Sequence, residues 1–341
     1  MLKTFFALLS AAVLTFGSFV TPAVAQSEET SGRASIYEFL NIPANPRAAA
    51  MGNAFVAMKN DQNTIFSNPA ALATIEADSL GRSVRISAGF LKHIKDINEG
   101  YISWGSPSGS LLGVEGGVAA AVQYIDYGTF DGRDINGAAT GEFGAQEMAL
   151  TLAYAGHFRG VNFGIGAKLI SSNLVSGSSV QDYSSFGGAL DAGLFYEYEP
   201  LLMTFGVSAL NIGTQFSTYA GIDEPLPFNL QLGISKKLER LPLTLHLAFR
   251  RLSRDREGRN ILYAFHDFAL GGEFILGKVV RLRFGYENQK RRDLNVPKGN
   301  GLAGFSLGTG IYVKQYQFDL SYNHQGHAFV PLVRFGGSVA W

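Results

Sequence analysis

The chain has 341 residues, with 28 Lys plus Arg against 28 Asp plus Glu, charged residues at only 16 %, and no cysteine. Balanced charge gives no basic field for nucleic acid, and the lack of cysteine removes disulfides, thiolate catalysis and thiolate metal sites together. Glycine at 41 residues, with 26 Phe and 14 Tyr, suits aromatic-rich β-structure better than a charged soluble globule.

The start, Met1-Leu2-Lys3, is short and basic and leads into the apolar run Phe5 to Val20 and the small residues Ala23-Val24-Ala25. That order reads as a cleaved signal peptide over residues 1–25, with export through the inner membrane and Gln26 as the first mature residue. The run is short for a membrane helix, which needs about 20 residues. Residues 26–80 do not alternate. Ala34 to Leu72 carries short helical patterns, notably Arg47 to Met58, broken by Pro43, Pro46 and Pro69. This stretch is too short for a core of its own and is expected to pack inside a barrel, or under its periplasmic mouth, as a plug.

From residue 81 to 341 the dominant signal is alternation over about ten residues, the period of a strand with two different faces. Tyr316, Phe318, Leu320 and Tyr322 oppose Gln317, Asp319, Ser321 and Asn323; Val280, Leu282, Phe284 and Tyr286 oppose Arg281, Arg283 and Glu287. Strands are predicted over 82–91, 98–106, 111–126, 143–158, 161–173, 184–198, 201–212, 227–238, 241–251, 264–275, 278–290, 301–313, 316–324 and 331–341. The joints alternate. Tight ones (Pro107 to Ser110, Arg159-Gly160, Glu199-Pro200, Glu239-Arg240, Leu276-Gly277, Lys314-Gln315) interleave with long polar ones (Tyr127 to Glu142, Leu174 to Tyr183, Gly213 to Leu226, Leu252 to Tyr263, Arg291 to Asn300). Short turns at one rim, long loops at the other and an even strand number predict an all-β fold: a single-chain transmembrane antiparallel β-barrel of about 14 strands in the outer membrane. Closure is required, because an unpaired backbone group in hydrocarbon costs several kcal/mol.

Polar residues on the inner face are then ordinary. Arg281, Arg283 and Glu287 either line a pore or pair with the plug, for example with Asp61, and pairing is the reading taken. Gly187-Gly188, Gly271-Gly272 and Gly336-Gly337 fall inside strands, where glycine marks bends, bulges or close backbone approach. Gly164 to Lys168 is no phosphate loop, since no helix follows. His324 and His327 stand three apart in a loop without a nearby carboxylate, so they read as loop histidines and no metal or cofactor is expected. Nothing places a base against a nucleophile, and the chain reads as a non-enzyme. On the last strand Phe335, Val339 and Trp341 point toward lipid. A terminal aromatic there is the feature that barrel assembly machinery recognises in barrels of this kind, and Trp341 suits an interfacial aromatic girdle.

The stretch "YEFLNIPANPRAAAMGNAFVAMKNDQNTIFSNPAAL" resembles the entry segment of the PorV/PorQ outer-membrane protein family, related in fold to the FadL fatty-acid transporters. The family pattern falls on Phe39-Leu40, Arg47 to Gly52, Asp61 and Asn68-Pro69-Ala70 with Leu72. "GAQEMALTLAYA" at Gly144 to Ala155, "LNIGTQFSTY" at Leu210 to Tyr219, "LPFNLQLGISKKLERLPLTL" at Leu226 to Leu245, and the stretches within Gly271 to Ile311 resemble the PorQ branch. The resemblance implies a non-enzymatic component of the type IX secretion system that anchors or organises the cell-surface attachment complex: the sortase-like PorU, the barrel PorV and the surface protein PorZ. The loop Leu252 to Tyr263 is shorter than in the family. Its arginines Arg254, Arg256 and Arg259 are either a partner-docking loop or a solvated basic loop near lipopolysaccharide phosphates. A FadL-like channel for hydrophobic small molecules is the alternative reading.

Overall fold

The structure, a computed structural model, describes residues 35–341 except 78–80, 94–95, 112, 135, 177–182, 220, 254–264, 295–300 and 327–328. The predicted signal peptide and Arg254, Arg256, Arg259 and His327 lie outside the described residues.

Fourteen strands form one closed antiparallel barrel. They are β1 (Arg85–Lys92), β2 (Asn98–Leu111), β3 (Val114–Arg133), β4 (Ala139–Phe158), β5 (Val161–Ser176), β6 (Tyr183–Tyr198), β7 (Met203–Ser217), β8 (Asn229–Lys237), β9 (Leu243–Phe249), β10 (Phe268–Leu276), β11 (Val280–Glu287), β12 (Phe305–Val313), β13 (Tyr316–Asn323) and β14 (Leu332–Ala340). Each strand pairs with its sequence neighbours, and β14 closes on β1 from Arg85↔Ala340 to Lys92↔Val333. Val84 and Trp341 exchange backbone bonds of 3.2 and 3.0 Å just beyond that ladder, so the seam is paired to the final residue.

Alternation sets the two environments. On β13, Tyr316, Phe318, Leu320 and Tyr322 are exposed on the outside, while Ser321 and Asn323 are buried within. Phe90, Ile102, Leu152, Leu190, Phe284, Leu307 and Phe335 continue the outer apolar surface around the barrel. A strand of nine residues is roughly 30 Å long, which when tilted matches an apolar band about 25 Å tall. A contiguous apolar exterior of this extent requires hydrocarbon around it. Among the described residues no helix is long and apolar enough to cross a membrane; the strands do so.

Two predicted joints are corrected. Pro107 to Ser110 is not the β2–β3 turn: β2 runs on to Leu111 before β3 starts at Val114, because Pro107 is taken into β2 at a register shift between Ser106 and Gly109. Tyr127 to Glu142 is not a long loop: β3 and β4 pair on to Arg133↔Ala139. Its glycines and carboxylates resemble loop chemistry, yet they pair as a ribbon with register shifts after Asp126 and at Gly132. Past Asp126 the ribbon has left β2, whose last pair is Asn98↔Asp126, and β5 leaves it at Ser176↔Phe143. The ribbon rises above the rim with Phe130 stacked on Phe143 at 5.3 Å between ring centres.

Candidate functional site: the lumen and its N-terminal segment

Residues 35–77 run through the barrel from one rim to the other. At the long-loop rim Ile36 N donates to Pro225 O at 3.2 Å, and Arg251 Nη2 meets Glu38 Oε2 at 3.3 Å. At the short-turn rim Lys59 pairs with Glu197, and Arg85 donates to Asn60 O at 2.7 Å. Little of the stretch is regular. Only α1 (Pro46–Ala50), capped by the Asn45 side chain on Ala48 N at 2.8 Å, and 3-10 turns at Glu38–Asn41, Gln62–Phe66 and Pro69–Thr74 are helical. The helix predicted over Arg47 to Met58 stops early, because Gly52 and Asn53 take φ of +60° and +63°.

An irregular backbone that is buried must find its hydrogen-bond partners elsewhere. Here the wall supplies them. Asn323 Nδ2 donates to Ala49 O at 2.7 Å, Ser306 Oγ to Ala50 O at 3.0 Å, Thr204 Oγ1 to Ala57 O at 2.7 Å and Ser208 Oγ to Ser67 O at 2.7 Å. This accounts for the polar inner face seen in the sequence. The wall also makes room: a Cβ added to Gly271 would stand 2.8 Å from Met51 Cβ, one on Gly336 2.9 Å from Pro46, and one on Gly233 2.7 Å from Val56 Cβ. Gly164, Gly206 and Gly308 face Ala70, Val56 and Ala50 as closely. Of the paired glycines, then, Gly187, Gly271 and Gly336 admit the segment. Gly188 and Gly272 face outward and are covered by the rings of Phe216 and Phe284.

The residues of the entry-segment pattern each meet a wall or core partner. Phe39 is buried with Ile125, Ile170 and Leu226, and Leu40 packs against that cluster. Arg47 binds both oxygens of Glu273 (Nη2 to Oε1 2.8 Å, Nε to Oε2 3.1 Å) and Asp61 Oδ2 at 2.9 Å. Gly52 lies against the backbone of Tyr286 and donates to Ser306 Oγ at 3.1 Å. Asp61 caps its turn through Asn63 N at 2.8 Å. Asn68 accepts from Ala70 N at 3.1 Å and donates to Val56 O and Leu194 O at 3.0 and 3.1 Å; Pro69 and Ala70 are buried against Gly164 and Phe195.

The wall charges are arranged differently from the pairing expected in the sequence. Arg283 does not meet Asp61; it binds Glu273 at 2.7 Å on the adjacent β10 and, reaching across β12, Asp319 at 2.5 Å on β13. Glu287 pairs with Arg250 at 2.8 Å and Lys290 at 3.1 Å. Arg250, at the end of β9, is thereby buried inside. A buried charged link between segment and wall is Glu273, which alternation places inward but nothing local marks as the partner of Arg47. Arg281 borders a cavity at the short-turn rim. Phe335 and Trp341 are exposed on the outer side, and Val339 shares that face of β14. His324 lies beside Tyr322 with ring centres 6.4 Å apart, and among the described residues no cluster of His, Asp and Glu is placed to hold a metal.

No family model and no curated protein matches the chain. Among solved structures it is similar to a FadL homologue of Pseudomonas aeruginosa, with a TM-score of 0.51 and 12 % identity over 87 % of this chain and 98 % of that one. It is also similar to a deletion mutant of the monoaromatic hydrocarbon channel TodX, with a TM-score of 0.55 and 12 % identity over 87 % of this chain and 98 % of that one. The fold is therefore that of the FadL-like outer-membrane barrels of 14 strands. Within that class, this chain is a barrel whose lumen is occupied by its own N-terminal residues.

Proposed function

We propose that the protein is a closed outer-membrane platform: a non-enzymatic component of type IX secretion that anchors or organises the cell-surface attachment complex. The observation that carries this reading is the rim-to-rim occupation of the lumen, fastened by the Arg47–Glu273 pair and by wall side chains bonded to the segment's backbone. A barrel filled in this way has its outer loops and the β3–β4 ribbon left for function. The PorV/PorQ-like residues of the entry segment support the assignment to this system. The test is copurification from the outer membrane, together with surface attachment in a deletion strain. Recovery of PorZ-like or PorU-like proteins and loss of attachment are expected; normal attachment with neither partner recovered defeats the reading.

A second reading is a FadL-like channel for hydrophobic small molecules, and the similar structures favour it over the first, since those proteins include a hydrocarbon channel. At the long-loop mouth Ile125, Ala149, Ile170 and Leu226 form an apolar site taken by Ile36, Tyr37 and Phe39. A hydrophobic molecule would have to displace those side chains. Saturable binding of an aromatic hydrocarbon or acyl chain to the purified barrel, weakened by Phe39→Trp, would decide for this reading.

A further inference from the structure

At the short-turn rim the segment and the wall part around a cavity of about 320 Å³, bordered by Lys59 to Asn63, by β1 and by the ends of β10 to β14. Its lining holds two more cations than carboxylates. The carboxylates are all engaged: Asp61 with Arg47, Glu273 with Arg47 and Arg283, and Asp319 with Arg283 and Gln317. Two cations keep donors unused among the described residues. Arg281 uses only Nη1, on the carbonyl oxygens of Gly277 and Val280, with its guanidinium 4.8 Å from the centre of the Tyr312 ring. Lys314, held in the left-handed region at φ +52° in the β12–β13 turn, has no hydrogen-bond or ion-pair partner among the described residues.

We propose that this cavity binds a phosphate group through Arg281 and Lys314. Guanidinium presents a planar fork that fits phosphate oxygens, and stacking on Tyr312 fixes its plane; the ammonium adds a point charge. The excess of positive charge in a recess partly closed to water favours an anion that brings its own acceptors. Tyr316 and Val339, which also border the cavity, belong to the outer faces of β13 and β14, one strand end from Trp341. The recess therefore reaches the height of the membrane interface, where phospholipid phosphates lie, and is also open to free phosphate.

Two measurements on the full-length protein test this. Calorimetry with inorganic phosphate, in an uncharged maltoside detergent, reads the free ion. Native mass spectrometry, after release from nanodiscs containing phosphatidylglycerol, reads the headgroup. In the double variant Arg281→Gln, Lys314→Gln at least one signal should fall by about tenfold or more. Loss of the calorimetric signal alone assigns free phosphate; loss of the lipid adduct assigns the headgroup. Arg281→Lys keeps the charge without the planar fork and should bind at a level between wild type and the double variant, and unchanged heat-modifiable migration of each variant separates loss of the site from loss of fold. Absence of both ligands from the wild type, or full binding by the double variant, overturns the proposal.

Discussion

Arg47 and Arg283 share one carboxylate, Glu273, and this is where the lumenal segment is tied to the wall. All three side chains are largely removed from water, with Arg283 fully so. Taking one member from a buried ionic cluster leaves its partners charged and uncompensated, a loss of about 3–5 kcal/mol. Glu273→Gln is therefore expected to lower markedly the temperature at which the folded band converts on heat-modifiable electrophoresis. Arg334 is a useful contrast. It is as buried, but it donates to Asn323 Oδ1 at 2.9 Å and stands 3.9 Å from Glu99. Replacing that looser pair together, Arg334→Met with Glu99→Leu, removes both charges at once and should leave the conversion temperature close to that of wild type or above it. The sequence showed Arg47 as part of a pattern but not its partner, because Glu273 lies 226 residues away and only barrel closure brings them together.

Strand identity was legible because a two-residue period is local. Each of the fourteen predicted strands overlaps an observed one, with ends displaced by up to seven residues. What local pattern could not give was the height of the β3–β4 ribbon, where Asp131, Gly132, Gly141 and Glu142 look like loop chemistry but pair across a two-stranded ladder. Since β2 pairs with β3 no further than Asp126 and β5 with β4 no further than Phe143, replacing residues 130–142 by a short Gly-containing turn should leave folding and membrane insertion intact. If the ribbon is the docking element of a surface complex, the same change should abolish copurification of the partner. At the other rim, Trp341 completes the β14–β1 seam through its two backbone bonds to Val84. Deleting it removes both bonds, each worth about 1 kcal/mol, and the interfacial ring. Less heat-modifiable barrel should then be recovered from outer membranes, and an unchanged yield would count against a role in assembly.

At the scale of the molecule, the wall and the lumenal segment differ in what holds them. The wall is closed by its own ladders, which do not depend on residues 35–77. The segment depends on the wall for its backbone partners and for the glycine spaces that admit it. Its removal should thus leave a barrel that still closes but is less stable, since the shared carboxylate Glu273 loses Arg47 and the buried apolar contacts of Phe39, Met51 and Leu72 are lost. Emptying the lumen also exposes a polar inner face to water from rim to rim, which is the condition for ion passage. In planar bilayers the full chain is expected to show no steady conductance, and the variant lacking residues 35–77 a persistent ohmic one. A full-length protein that conducts as well as that variant would mean that the segment leaves the lumen in the membrane, and would favour the channel over the platform.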